Sequence, residues 1–133
     1  LYLSQHFKIT SMIDVSDGLV QDLTHLAAAS GVSCCLDLDK VPVSKAALKL
    51  SRANRSKALK RACCDGEDFE LLFTVSAAQK EELCKKWKRR FPDVPLHFIG
   101  KAVVRGKKRI RYYLNGKETA VFSAASGYRH FTS

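Results

Sequence analysis

The chain has 133 residues and a formal net charge of +10, from 23 Lys and Arg against 13 Asp and Glu. Apolar residues make up 46% and charged residues 27%, a globular composition that excludes a disordered tail, and the length fits a single domain spanning residues 1–133. No apolar run approaches the ~20 residues a membrane helix requires, and no basic–apolar–small leader pattern opens the chain.

The opening Leu1-Tyr2-Leu3-Ser4-Gln5-His6-Phe7 reads as the end of an element already under way, and the first Met is Met12; a piece of a longer chain is expected. Residues 16–30 place Leu19, Leu23, Leu26, Ala27 and Ser30 on one helical face, with Ser16 or Asp14 available as N-cap and Gly31 as the stop. Residues 32–38 read as a short strand, and residues 44–62 as helix in two pieces broken near Asn54. Residues 68–75, rich in β formers, read as a buried strand. Ser76-Ala77-Ala78-Gln79 has the form of a capping box, opening a helix with Leu83, Trp87 and Phe91 at i, i+4, i+8 before Pro92. Residues 95–104 read as a strand, and 109–114 with 118–122 as a hairpin about Asn115-Gly116, a type I′ signal. Three or four helices and four or five strands in α/β order predict a sheet with helices packed on it.

Charge is unevenly placed. Residues 45–64 carry seven basic groups and no acid, while residues 65–75 carry four acids and no base. Two acidic islands, Asp14/Asp17/Asp22 and Asp65/Glu67/Asp68/Glu70, thus stand in a basic field, which points to a phosphate-bearing partner and to a cation or metal–phosphate site, with plain ion pairing as the alternative. The five cysteines (Cys34-Cys35, Cys63-Cys64 and Cys84) have no zinc spacing and read as free thiols of a reducing cytoplasm.

Three segments could carry chemistry. In Ile13-Asp14-Val15-Ser16-Asp17-Gly18-Leu19, two carboxylates three residues apart flank a helix start. Helix N-terminal amides attract phosphate, and carboxylates there can hold Mg²⁺, which takes one or two of them with phosphate oxygens and water. Simple capping by the same acids explains the spacing equally well. In Cys63-Cys64-Asp65-Gly66-Glu67-Asp68-Phe69-Glu70-Leu71-Leu72-Phe73, an acidic glycine turn leads into a strand, where the acids either contact a ligand or are merely solvated. In Gly127-Tyr128-Arg129-His130-Phe131, two aromatics beside a glycine either cover a flat ligand or pin the chain end to the core. No Walker loop, dinucleotide fingerprint, nucleophile elbow or RNA-recognition motif is present.

Taken together, Met12–Leu19, Gly66–Thr74 and Gly127–Phe131 resemble the motifs of the thiamine-monophosphate kinase family, within the aminoimidazole ribonucleotide synthetase (PurM-like) superfamily. Gly31, Leu36-Asp37-Leu38-Asp39, Val41-Pro42-Val43-Ser44 and Phe98-Ile99-Gly100-Lys101 fall where that family has similar residues; the first glycine of its G-G-E-D motif is Asp65 here. The resemblance covers the whole chain but only the C-terminal half of the family. It implies a PurM-like C-terminal α/β domain, a mixed sheet with helices packed on it, partly ferredoxin-like, with the N-terminal ATP- and magnesium-binding half absent from this chain. It further implies phosphoryl transfer from ATP to thiamine phosphate in the cytoplasm, giving thiamine diphosphate, by an enzyme that is a homodimer when intact. The implied residues are Asp14 and Asp17 for Mg²⁺, Ser16 for ATP, and Glu67 and Tyr128 for the substrate, with no nucleophilic side chain. No membrane or nucleic-acid partner is implied, and the isolated piece is expected to be inactive. Two other readings stand beside this one: another PurM-like enzyme resembling selenophosphate synthetase, and a basic polyanion- or RNA-binding module.

Overall fold

The computed structural model describes residues 2–43, 54, 57, 59, 63 and 70–120. Among them the order is α1 (Tyr2–His6), β1 (Ile9–Val15), α2 (Leu19–Ser30), β2 (Val32–Asp37), β3 (Glu70–Val75), α3 (Lys80–Arg90), β4 (Gly100–Val104), β5 (Ile110–Leu114) and β6 (Lys117–Thr119). The strands form two sheets. One is the antiparallel pair β1–β3; the other is mixed, in the order β4-β2-β5-β6, with β2 parallel to β5 and the remaining pairs antiparallel. The α/β class and the mixed sheet agree with expectation, and the second, two-stranded sheet is additional.

Two hydrophobic cores flank the small sheet. In the larger, Leu19, Val20, Leu23 and Ala27 of α2 meet Cys34 and Leu36 of β2 and Ile110 and Tyr112 of β5, joined by Leu59 and Cys63 from the helical positions between the strands. In the smaller, Leu3 and Phe7 pack with Leu83 of α3. Leu72 of β3 leans on the first core, whereas Phe73, Val75 and Ile9 lean on the second, as the alternation of side chains along a strand requires. The apolar stripe on α2 drives that helix. Burying Leu19, Val20, Leu23 and Leu26 is worth roughly 1.5–3 kcal/mol each, more than the ~1 kcal/mol a side-chain cap supplies.

Helix ends differ from expectation in one direction. Gly31 ends α2 in the left-handed conformation (φ 68°), its N–H reaching the Ala27 and Ala28 carbonyls, and Arg109 Nη1 donates to Ala27 O and Val32 O at the same end. The start is corrected: α2 begins at Leu19, its N-cap is Gly18 with no side-chain cap, and neither Ser16 nor Asp14 serves. The capping box at Ser76 is also corrected. Ala77–Gln79 form a 3₁₀ turn, the Ser76 side chain caps nothing, and Gln79 Oε1 instead accepts from the Lys8 N–H, 71 residues earlier. A tertiary donor has outcompeted the local one. Phe91 lies just past the C-terminus of α3, its ring tilted 45° to that of Trp87 with centroids 4.7 Å apart, and Ser30 is exposed.

The strand expected over 95–104 is shorter, Gly100–Val104, because β2, its partner, pairs only from Val32 to Leu36; one further bond, Asp37 N–H to Ile99 O, continues the line. A Cβ on Gly100 would sit 2.0 Å from the Cys35 carbonyl oxygen, which is why that strand opens on glycine. Asn115 and Gly116 have φ of 53° and 78°, as a type I′ hairpin needs, and Asp39 Oδ2 accepts from the Asn115 N–H at 2.6 Å. The Asp37-Leu38-Asp39 segment is thereby assigned a structural task. Most of the expected 44–62 helix lies outside the described residues; Asn54 is non-helical and its side chain accepts from the Lys57 N–H, an N-cap bond consistent with a break there.

Candidate metal and nucleotide site

β1 delivers the first acidic motif to the end of the small sheet. Val15, buried, is its last residue; Asp14 is exposed, Ser16 is exposed and Asp17 half-buried, and Gly18 (φ 106°, ψ 147°) turns the chain into α2. That positive φ is a conformation L side chains rarely adopt, so glycine is required at the turn.

The register of β1 against β3 pairs Asp14 with Leu71 and Val15 with Glu70. The strand that follows the second acidic motif therefore starts beside the loop that ends the first. Glu70 is exposed at that mouth; Glu67 lies outside the described residues, as does Tyr128.

The loop is held from within by an acid whose role the sequence left unassigned. Asp22, 2% exposed in the first turn of α2, accepts with Oδ2 from the Ser16 N–H at 2.8 Å and the Asp17 N–H at 3.0 Å. Its signal in the sequence was a carboxylate placed within the apolar face of Leu19, Leu23 and Leu26. With α2 capped by Gly18 and the loop amides bonded to Asp22, the capping explanation of Asp14 and Asp17 falls away.

The donor set suits a hard cation. Two carboxylates flanking a serine, at the exposed end of a strand, match the one or two carboxylates that Mg²⁺ takes while keeping water and phosphate oxygens. Among the described residues no three His, Cys, Asp or Glu side chains gather to hold a metal ion. Within that set, Asp14 and Asp17 can form one wall of a site. Also among the described residues, no helix is long and apolar enough to cross a membrane.

The family model for AIR synthase related protein, C-terminal domain, matches residues 1–113. The chain belongs to that family. Within it, this AIR synthase related domain is 35% identical over 120 residues to thiamine-monophosphate kinase of Haemophilus influenzae, covering 90% of this chain and 35% of that protein. It is 36% identical over 104 residues to thiamine-monophosphate kinase of Rhodopirellula baltica, covering 77% and 31%. Among solved structures it is similar to thiamine-monophosphate kinase from Stenotrophomonas maltophilia K279a, with a TM-score of 0.68 and 34% identity over 85% of this chain and 33% of that one. It is also similar to AaThiL complexed with AMPPCP and TMP, with a TM-score of 0.61 and 27% identity over 90% of this chain and 33% of that one. The domain thus spans about a third of the length of the kinases it matches.

Proposed function

We propose that residues 1–133 are the C-terminal domain of a thiamine-monophosphate kinase, which transfers a phosphoryl group from ATP to thiamine phosphate. The observation that carries this reading is the likeness, over 90% of the chain, to a structure holding the ATP analogue AMPPCP together with TMP, read here as thiamine monophosphate. The remainder of such an enzyme, an N-terminal half and a second copy in a homodimer working in a reducing cytoplasm, completes the proposal.

Asp14 and Asp17 would hold Mg²⁺, and the Ser16 hydroxyl would donate to an ATP phosphate oxygen. Bound there, Mg²⁺ would neutralise charge on the phosphates as the group is transferred. The acceptor is a phosphate monoester with a second pKa of ~6, already ionised at neutral pH, so this chain needs no general base or nucleophile and acts chiefly by positioning anions in line. Glu67 would face the thiamine cation or its amino group, and Tyr128 would stack on a thiamine ring, a contact worth roughly 0.5–2 kcal/mol.

The test is Asp14→Asn and Asp17→Asn in the kinase-length protein. Turnover should fall at least a hundredfold, as when a group stabilising transition-state charge is removed, while the melting temperature stays within a few degrees, since neither side chain caps α2. A drop of melting temperature with activity spared would return both residues to a structural role.

A further inference from the structure

Asp22 is an expensive residue for its place. Its neighbours on the buried face of α2 are Leu19, Val20, Leu23 and Leu26, and a buried carboxylate is costly unless hydrogen bonds satisfy it. A leucine there would simply extend the apolar stripe. What the carboxylate accomplishes is visible in its two bonds: a single oxygen draws the Ser16 and Asp17 N–H groups inward.

Those N–H groups belong to the loop just before the N-cap Gly18, where free amides pointing outward would add to the anion-binding character of a helix start. Here they are already occupied by an anion. A phosphate oxygen cannot take them, and what the loop offers outward is side-chain oxygen from Asp14, Ser16 and Asp17. Asp22 does not join Asp14 and Asp17 in a three-acid metal-holding group, so it acts on the site through the loop.

We infer that Asp22 is a positioning residue: by holding the Ser16 and Asp17 amides inward, it keeps two anion-binding N–H groups off the outer face of the loop, which then presents the side-chain oxygens of Asp14, Ser16 and Asp17. This rests on the reading of Asp14 and Asp17 as magnesium ligands, and the experiment separates the two. On the ¹⁵N-labelled chain, amide hydrogen exchange is measured at Ser16 and Asp17, and Mn²⁺ and then inorganic phosphate are titrated while the amide signals of residues 14–17 are followed.

In Asp22→Ala, exchange at Ser16 and Asp17 should accelerate about tenfold to a hundredfold, the size of a lost bond to a charged acceptor, while core amides such as Leu36 and Tyr112 keep their rates. The Mn²⁺ concentration that half-broadens residues 14–17 should rise at least about fivefold, and phosphate, inert toward the wild-type loop, should shift the freed amides. Unchanged exchange, or released amides with an unchanged Mn²⁺ response, would overturn the role of Asp22. If Asp22→Ala fails to fold, Asp22→Asn decides: it keeps an acceptor oxygen in place, so slow exchange with a near-normal Mn²⁺ response supports the inference, and fast exchange confined to Ser16 and Asp17 overturns it. Broadening absent from wild type, or identical in Asp17→Asn, would instead overturn the metal assignment itself, with the exchange data still reporting whether Asp22 holds the loop.

Discussion

Single residues divide here into those spent on the fold and those left free, and burial decides which is which. Burial, with a smaller contribution from neighbouring Cys35, pushes the Cys34 thiol above the ordinary range, whereas Cys84 is exposed on α3. Iodoacetamide at pH 8 should therefore label Cys84 at least tenfold faster than Cys34, by mass spectrometry of peptides; equal rates would show that the core around Cys34 is open. The sign for stability follows from the raised value. The contribution of Cys34 is complete below the unfolded thiol pKa and is lost as pH climbs through the folded one, so alkali above about pH 9 should weaken the domain. At the candidate site the same logic was only half legible in the sequence. Asp14, Ser16 and Asp17 stood out by spacing, but capping and metal binding looked alike, because spacing does not report where a side chain's bonds go. Asp22 was visible as a third acid, yet its partners lie five and six residues back, across a turn whose shape depends on Gly18.

At the scale of elements, periodicity makes α2, α3 and β2 to β6 legible but not β1 (Ile9–Val15), the strand that carries Asp14, and partners set the ends. The stripe Leu19, Leu23, Leu26 and Ala27, the Gly31 stop and the Asn115-Gly116 turn were readable because each is a local rule carried by the residues themselves. The strand shortened to Gly100–Val104 and the unmade capping box at Ser76 were not, because one depends on the length of β2 and the other on a donor 71 residues away. Two substitutions test this account of the elements. Leu83 is fully buried and anchors the smaller core, so Leu83→Ala should destabilise by about 2–5 kcal/mol in urea unfolding. Gly100→Ala places a methyl group 2.0 Å from the Cys35 carbonyl oxygen, a backbone atom that cannot swing aside. It should cost more than Gly31→Ala, where φ is 68° but nothing lies within 4 Å and about 1–2 kcal/mol of backbone strain is expected. Gly31→Ala proving the worse of the two would mean that β4 does not pack on β2 as described.

The whole molecule brings Glu70, the last acid of the second motif, beside the end of the first motif on a two-stranded sheet lodged between two cores. That arrangement was not readable from periodicity, which gave a count of strands and no assignment to sheets. The strong positive charge, which alone would suggest a polyanion surface, is partly committed inside the domain: Arg109 binds the carbonyls of Ala27 and Val32, and Arg111, with Lys108 adding less, pairs with Glu118 and holds its carboxyl below the usual range. Such exposed pairs contribute little to stability and fade with salt. A domain that is one third of its relatives' length, with two cores of its own and only two exposed or half-buried acids at the proposed site, should fold and yet fail to catalyse. The most direct measurement is therefore thiamine diphosphate formed from thiamine phosphate and Mg-ATP, assayed in parallel for the 133-residue chain and for the kinase-length protein proposed to contain it. Product is expected from the long protein, and none above the no-enzyme control from the short chain. Product from the short chain alone, or none from the long protein, would contradict the proposed function.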